Sequence, residues 1–170
     1  MELLQRFARG DLQAFEQLFQ QFHGEVFGWL LRILRNSADA EDATVEVFWR
    51  IYRAHARFDP TRSFGAWART ISCNVAVDQL RRAQRRRSVP VAPPPMPNSS
   101  ARQDVLVRVE RAFIQLPPRL RIVAQMAFVE EWPHEDIAKA LGISRSAVKS
   151  RAFRAMHQLK ALLKQEGVEP

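Results

Sequence analysis

HEDIAKALGISRSAVKSRAFR, residues 134–154, reads as two short helices around a tight turn. The first helix spans His134 to Ala140. Leu141-Gly142-Ile143 makes the turn, and Ser144 is the N-cap of the second helix. Ala138 is small where a second helix must cross close by. Gly142 supplies the left-handed backbone that such a turn needs. Ile137, Leu141, Ile143 and Val148 are the apolar residues available to fix the crossing angle.

The second helix has two faces. Val148, Ala152, Ala155, Leu159 and Leu162 fall within about 40° of the direction of Val148 at 100° per residue and point inward. Ser146, Lys149, Ser150, Phe153, His157, Lys160 and Lys164 share the outer arc. Between Ile137 and Gln165 there are seven Lys or Arg residues and no Asp or Glu. A solvated helical hairpin mixes its charge signs. A one-sided basic face with an exposed aromatic points to DNA in the major groove, with cations on phosphates and residues near the helix start on base edges.

Outward from this motif, the chain reads as all-α, without sustained period-two alternation and with few glycines. Residues 88–103, SVPVAPPPMPNSSARQ, contain five prolines and read as a flexible linker. It divides the sequence into a first helical domain at 1–87 and a second at 104–170. In the second, Val105, Val109, Ala112 and Leu116 precede a stop at Pro117-Pro118, and Leu120, Val123, Ala124 and Ala127 form the next helix. In the first, Asp11 caps a helix whose apolar face is Phe15, Leu18, Phe19, Phe22, Val26, Leu30 and Leu34. Asn36-Ser37 ends it, and a third helix carries Val45, Phe48 and Tyr52 inward. Ser63 caps a fourth helix running to about Arg86, with Phe64, Ala68, Ile71 and Val75 as its core stripe.

The third and fourth helices carry opposite signs. Asp39, Asp42, Glu46 and Trp49 share one face of the third. Acids at a helix start suit the dipole, but a tryptophan on the same outward stripe marks a protein contact. These carboxylates face no second cluster, so a metal-dependent nuclease is not expected. On the fourth helix Trp67, Asn74, Asp78, Arg81 and Arg85 point within about 40° of one direction, ending in the run Arg81-Arg82-Ala83-Gln84-Arg85-Arg86-Arg87. The helix dipole and an Asp78–Arg82 pair account for part of that run. An aromatic, an amide and a basic end together suit DNA with unstacked bases. Phe58 and Phe64 flank the Asp59–Ser63 loop and read as core more readily than as base-stackers.

The 170 residues hold 26 Lys and Arg against 18 Asp and Glu, a net charge of +8 that favours a polyanionic partner, nucleic acid or an anionic membrane surface. The single Cys73 excludes an internal disulfide and reads as a packed thiol, and no zinc spacing occurs. No signal peptide is evident, and no run approaches the roughly 18 apolar residues that span a bilayer, so a cytoplasmic protein without membrane insertion is expected.

The segments ADAEDATVEVFWRIYR (38–53), FDPTRSFGAWARTISCNVAVDQLRR (58–82) and LPPRLRIVAQMAFVEEWPHEDIAKALGISRSAVKSRAFRA (116–155) resemble, in order and spacing, regions 2 and 4 of the extracytoplasmic-function sigma factors of bacterial RNA polymerase. The resemblance implies a non-enzymatic transcription initiation factor with no cofactor and no metal. Its partners would be promoter DNA, core RNA polymerase through the β′ clamp and β flap, and an anti-sigma factor. Asp39, Asp42, Glu46, Phe48 and Trp49 would dock on the β′ clamp. Phe58, Phe64, Trp67, Asn74, Asp78, Arg81 and Arg82 would open and read the −10 element. Arg145, Ser146, Lys149, Ser150, Phe153 and Arg154 would read the −35 element as duplex. Three positions depart from the family pattern. Val45 stands where a glutamine is common. Ala68 replaces a leucine, which predicts looser packing. Pro133 stands where a Ser or Thr caps the first helix of the motif. The alternative is a stand-alone helix-turn-helix regulator, disfavoured by the arginine-rich face of the first domain and the lack of any ligand-pocket pattern.

Overall fold

The computed structural model describes residues 2–86 and 101–168. Among the described residues there are eight helices and no strand. The expected linker lies outside the described residues up to residue 100. Its last three residues, Ala101–Gln103, already belong to a helix. Packing divides the chain into two compact units: Met1–Leu80 with Lys139–Gly142, and Arg81–Ala138 with Ile143–Pro170.

Helix α1 (Glu2–Ala8) turns into α2 (Leu12–Leu34) through Gly10, whose φ of 86° is left-handed. Asp11 then caps α2 as expected, its Oδ1 accepting the Ala14 N–H at 3.1 Å. The other oxygen accepts from Arg6 Nε at 2.8 Å, so one carboxylate holds both sides of the turn. Arg35, at φ 58°, ends α2 with its N–H on the Leu31 carbonyl, and Asn36 at once caps α3 (Ser37–Arg53) by accepting the Asp39 N–H at 2.9 Å. A single tight turn at His55–Arg57 leads to the loop before α4 (Phe64–Arg86). There Ser63 Oγ accepts the Ala66 N–H at 3.3 Å, the cap that the sequence indicates.

The first core differs in part from the sequence pattern. Leu18, Val26, Leu30 and Leu34 are buried as expected, joined by Ala14, Trp29 and Ile33. Val45, expected inward, is 70% exposed, and Phe19 also lies at the surface. The buried stripe of α3 is Ala40, Thr44, Val47 and Ile51 with Ala43 and Phe48 beside it. Val45 sits about 130° round the helix from the centre of that stripe. Tyr52 and Ile71 are only half-buried. Cys73 is fully buried and free, and a small cavity of about 10 Å³ lies beside Ala68, where the leucine is missing.

Phe7, from α1, is the centre of an aromatic cluster. Its ring lies 5.7 Å from Phe58, 5.5 Å from Phe64, 6.2 Å from Trp67 and 6.3 Å from Phe15. Each such pair adds about 0.5–1.5 kcal/mol beyond simple burial.

In the second unit α5 (Ala101–Gln115) stops before Pro117, and α6 (Pro118–Ala124) begins with proline in its first turn. It widens into a π-helical turn at Gln125–Val129. Helices α7 (His134–Leu141) and α8 (Arg145–Gln165) follow. Ala112, Leu116, Leu120, Ala124, Ala155 and Leu159 form a core from α5, α6 and α8. The alanines let the helix axes approach. Val105, expected inward, is exposed. Arg108, one turn later, meets the end of α8, donating from Nη1 to the Glu166 carbonyl at 2.9 Å.

Two outcomes are expected from this packing. Phe7→Ala should cost about 3–5 kcal/mol in urea unfolding, because the ring is buried and surrounded by other rings. The Asp11 carboxyl is held below its usual range by the Arg6 guanidinium and the Ala14 N–H. A depressed folded-state pKa contributes stability above the ordinary carboxylate range and loses it as pH falls through the lowered value. Protection of the Ala14 amide, its exchange rate relative to an unstructured chain at the same pH, should therefore fall below about pH 4 in the native chain. In Asp11→Ala, which removes the capping oxygen, that protection should already be low at neutral pH and show no such titration.

Candidate nucleic-acid interface

Two helices present surfaces suited to nucleic acid. In the α7–α8 motif, Gly142 has φ 62°, the Ile143 N–H reaches the Ala138 carbonyl at 3.0 Å, and the Gly142 N–H reaches the Lys139 carbonyl. This left-handed stop closes α7 as the sequence requires. Ser144 Oγ accepts the Ala147 N–H at 3.1 Å and shares a hydrogen bond with Ser146 Oγ at 2.9 Å. Pro133 precedes α7, and its carbonyl accepts from Asp136 and Ile137, so the helix starts on backbone bonds with Glu135 and Asp136 in its first turn.

On α8, Val148, Ala152, Ala155 and Leu159 are buried. Arg145, Ser146, Lys149, Ser150, Phe153 and Arg154 are all exposed, Phe153 by 73%. Arg154 turns back along its own helix toward the Ser150 carbonyl, at 3.4 Å. Arg151 is half-buried, and burial together with the charges of Arg119 and Arg154 pushes its pKa down. Crowded like charges of this kind favour an incoming anion.

On α4 the expected polar face separates by depth. Asn74, Arg82 and Arg85 are exposed, Asp78 and Arg81 are half-buried, and Asn74 Nδ2 donates to the Thr70 carbonyl at 3.2 Å. The ion partner that the structure gives Asp78 is Arg50 of α3, at 3.4 Å, in place of the expected Arg82. Phe58 and Phe64, named above for contact with the −10 element, are buried. They pack on Phe7 and on Trp67, with Phe58 and Trp67 at 4.9 Å, and no ring edge is offered to solvent for stacking. What is exposed is the loop between them. Its Asp59 carboxylate accepts both the N–H and the hydroxyl of Thr61, at 3.0 and 2.7 Å, which holds its pKa below the ordinary value.

The face of α3 is more apolar than its sequence suggests. Asp42 is exposed, Asp39 and Glu46 are half-buried, and Trp49 is 55% exposed. Phe48 is buried with its ring 4.7 Å from Phe19, and forms the floor of a groove rather than its rim. Leu12, Phe15, Phe19, Val45, Trp49 and Tyr52 complete this groove of about 410 Å³ between α2 and α3. Leu12, Phe19 and Val45 were not singled out from sequence as contact residues. The apolar excess on α2 and α3, wider than one buried stripe, is the signal that marks them. Trp49 is also the wall of a second, polar cleft on its other side, with Glu46, Arg50, Arg53, Ala54 and Arg57. Among the described residues no group of His, Cys, Asp and Glu could hold a metal, and no helix is long and apolar enough to cross a membrane.

Comparison with known proteins matches residues 18–86 to the Sigma-70 region 2 family and 106–159 to the Sigma-70 region 4 family. The chain is 34% identical over 169 residues to the RNA polymerase sigma factor CarQ of Myxococcus xanthus, covering 94% of this chain and 95% of that protein. It is 30% identical over 163 residues to the ECF RNA polymerase sigma factor SigM of Mycobacterium tuberculosis, covering 95% and 83%. Among solved structures, CnrH in complex with the cytosolic domain of CnrY is similar with a TM-score of 0.64 and 28% identity, over 96% of both chains. The sigma factor RpoE of Bartonella quintana, solved with the anti-sigma factor NepR, shares the fold at a TM-score of 0.61 and 22% identity, over 90% and 98%.

A Cβ added at Gly142 would meet nothing within 4 Å, so its cost is backbone strain alone. Gly142→Ala should destabilise the chain by about 1–2 kcal/mol in urea. Gly142→Asn should cost clearly less, since asparagine tolerates the left-handed region. Equal losses for both variants would contradict a left-handed requirement.

Proposed function

The chain belongs to the extracytoplasmic-function sigma factors of bacterial RNA polymerase, and from that premise we propose how its surfaces divide the work of promoter recognition. The protein directs RNA polymerase to promoters for transcription initiation and carries no catalysis of its own. In our reading, residues 1–87 bind core polymerase and the −10 element, residues 104–170 read the −35 element, and residues 88–103 join them.

The observation that carries this reading is the pairing of two separate basic helices, each next to a cue for its own kind of DNA. Helix α8 has a one-sided cationic face on a helix-turn-helix. Arg145, Ser146, Lys149, Ser150, Phe153 and Arg154 enter the major groove of a duplex, where short polar residues at the helix start reach bases and the cations hold phosphates. Helix α4, which follows the Asp59–Ser63 loop, carries Asn74, Asp78, Arg81 and Arg82 further along its length. There the strand separates at the −10 element and an unstacked base is captured by the loop, while Phe58, Phe64 and Trp67 brace it from behind.

The acidic and aromatic face of α3, Asp39, Asp42, Glu46 and Trp49 with Phe48 beneath, docks on the β′ clamp, and the second unit meets the β flap. Joining both DNA contacts on one polymerase raises the effective concentration of the second after the first has formed. Each end therefore needs only weak affinity. An anti-sigma factor, as in the RpoE complex, withholds the protein from polymerase in the cytoplasm. A stand-alone helix-turn-helix regulator would need neither the α3 face nor the second basic helix.

The test is capture of core RNA polymerase by the purified chain, followed by run-off transcription and mapping of transcript starts. Asp42→Asn with Glu46→Gln should reduce polymerase capture at least about tenfold, as expected for loss of charged interface contacts. Duplex binding by α8 should persist. Unchanged capture would remove α3 from the docking surface. Tight, promoter-selective duplex binding without polymerase would favour the regulator.

A further inference from the structure

Helix α3 carries an apolar ridge that the fold around it leaves uncovered. Val45 is 70% exposed and Trp49 55%, and Leu12 of α2 is exposed beside them. Together they rim the groove whose floor is Phe48. Apolar area gathered in one place costs free energy in water until something covers it. The ridge is bounded by charge. At 100° per residue, Asp42, Val45 and Arg53 all fall within about 40° of the direction of Trp49, so the four make one stripe along the helix.

The two ends of that stripe carry opposite charges. Nearer its middle, Glu46 and Arg50 pair with each other at 2.7 Å, and Arg50 also reaches Asp78 at 3.4 Å. Asp42 and Arg53 are exposed, and neither has an ion pair among the described residues. They stand eleven residues apart, about 16.5 Å along the helix axis.

This pattern restricts what can lie along the ridge. A uniformly acidic helix would be repelled at Asp42, and a uniformly basic one at Arg53. A wholly apolar helix would take water from both ends without pairing either charge. The occupant needs an apolar middle, an anion at one end and a cation at the other, and must run antiparallel to α3. Helix α3 itself meets that description. A two-fold axis midway between Asp42 and Arg53 sets Asp42 of each copy against Arg53 of the other. The same axis brings the Val45 and Trp49 side chains of both copies together. A two-fold contact demands such self-complementarity.

We propose that Asp42, Val45, Trp49 and Arg53 form a self-association surface through which two copies of this chain pair with their α3 helices antiparallel. The pairing covers the face assigned above to the β′ clamp, so dimer and polymerase exclude each other. Free chain is then stored as a dimer and released as polymerase takes it up. The exclusion rests on the assignment of α3 to the clamp; the pairing does not.

Sedimentation velocity of the full chain, over a concentration series at low and high salt, reads the association directly. The native chain should show a reversible monomer–dimer equilibrium that weakens as salt rises. Asp42→Arg sets two cations together at both contacts, and Arg53→Asp sets two anions together. Each alone should weaken the dimer at least about tenfold. Both side chains are exposed, and circular dichroism checks that the variants keep native helicity. Mixing the two variants makes both contacts complementary again, so the mixture should form a heterodimer of near-native affinity. A native chain that stays monomeric to its highest soluble concentration would overturn the proposal. So would a mixture no more associated than its separate components, since any dimer would then use another face. Energy transfer between donor- and acceptor-labelled native chains, titrated with core polymerase, tests the exclusion. Loss of transfer at one polymerase per chain supports it. Dimers that persist on polymerase would overturn the exclusion and the clamp assignment while leaving the pairing intact.

Discussion

The burial of one side chain, Phe7, is the constraint on which the first unit depends. Its ring is the shared neighbour of Phe15 on α2, of Phe58 and Phe64 at the two ends of a loop, and of Trp67 on α4. Without it the Asp59–Ser63 loop would have its ends anchored on nothing from the start of the chain. With it, both loop ends are fixed by rings that cannot move independently, and the residues between them are held out to solvent by the short bonds around Asp59. The Arg6–Asp11 pair keeps α1 folded back so that Phe7 can reach this place. A surface loop thus inherits its geometry from an aromatic core.

The second unit solves a different problem with fewer atoms. Helix α8 must complete a core and expose a cationic face along the same length. Alanines at 112, 124, 152 and 155 make this possible, because small inward residues bring the neighbouring helices close without claiming the outer arc. Long cationic side chains then occupy only the side left over. The glycine turn before α8 and the Ser144 cap fix where that face begins.

Features set by neighbours in sequence were the most legible. The caps at Asp11, Ser63 and Ser144, the left-handed Gly142, the stop at Pro117 and both faces of α8 follow from local chemistry and helical period. Features set by distant neighbours were not. The burial of Phe58 and Phe64 depends on Phe7, some fifty residues earlier in the chain. Local reading favoured core over contact for both without showing what buries them, and the family likeness placed them on the DNA side. Val45 and Phe19 look inward to any periodic count, because a helix with two apolar stripes gives no sign of which one meets the core. The Asp78–Arg50 pair could not be chosen over Asp78–Arg82 without knowing that α3 and α4 lie side by side. The groove on α2 and α3 escaped notice for the same reason.

The clamp between Arg108 and the Glu166 carbonyl, with Leu159 in the core nearby, has a consequence for information. It ties the end of α8 to α5, leaving the stretch from Arg145 to Arg154 free to enter a groove. That stretch advances about 13.5 Å along its axis. At 3.4 Å per base pair it spans roughly four base pairs. So short a word recurs by chance throughout any genome. One end of this molecule alone cannot name an address, and only a second word at a fixed distance makes it rare enough to mean one.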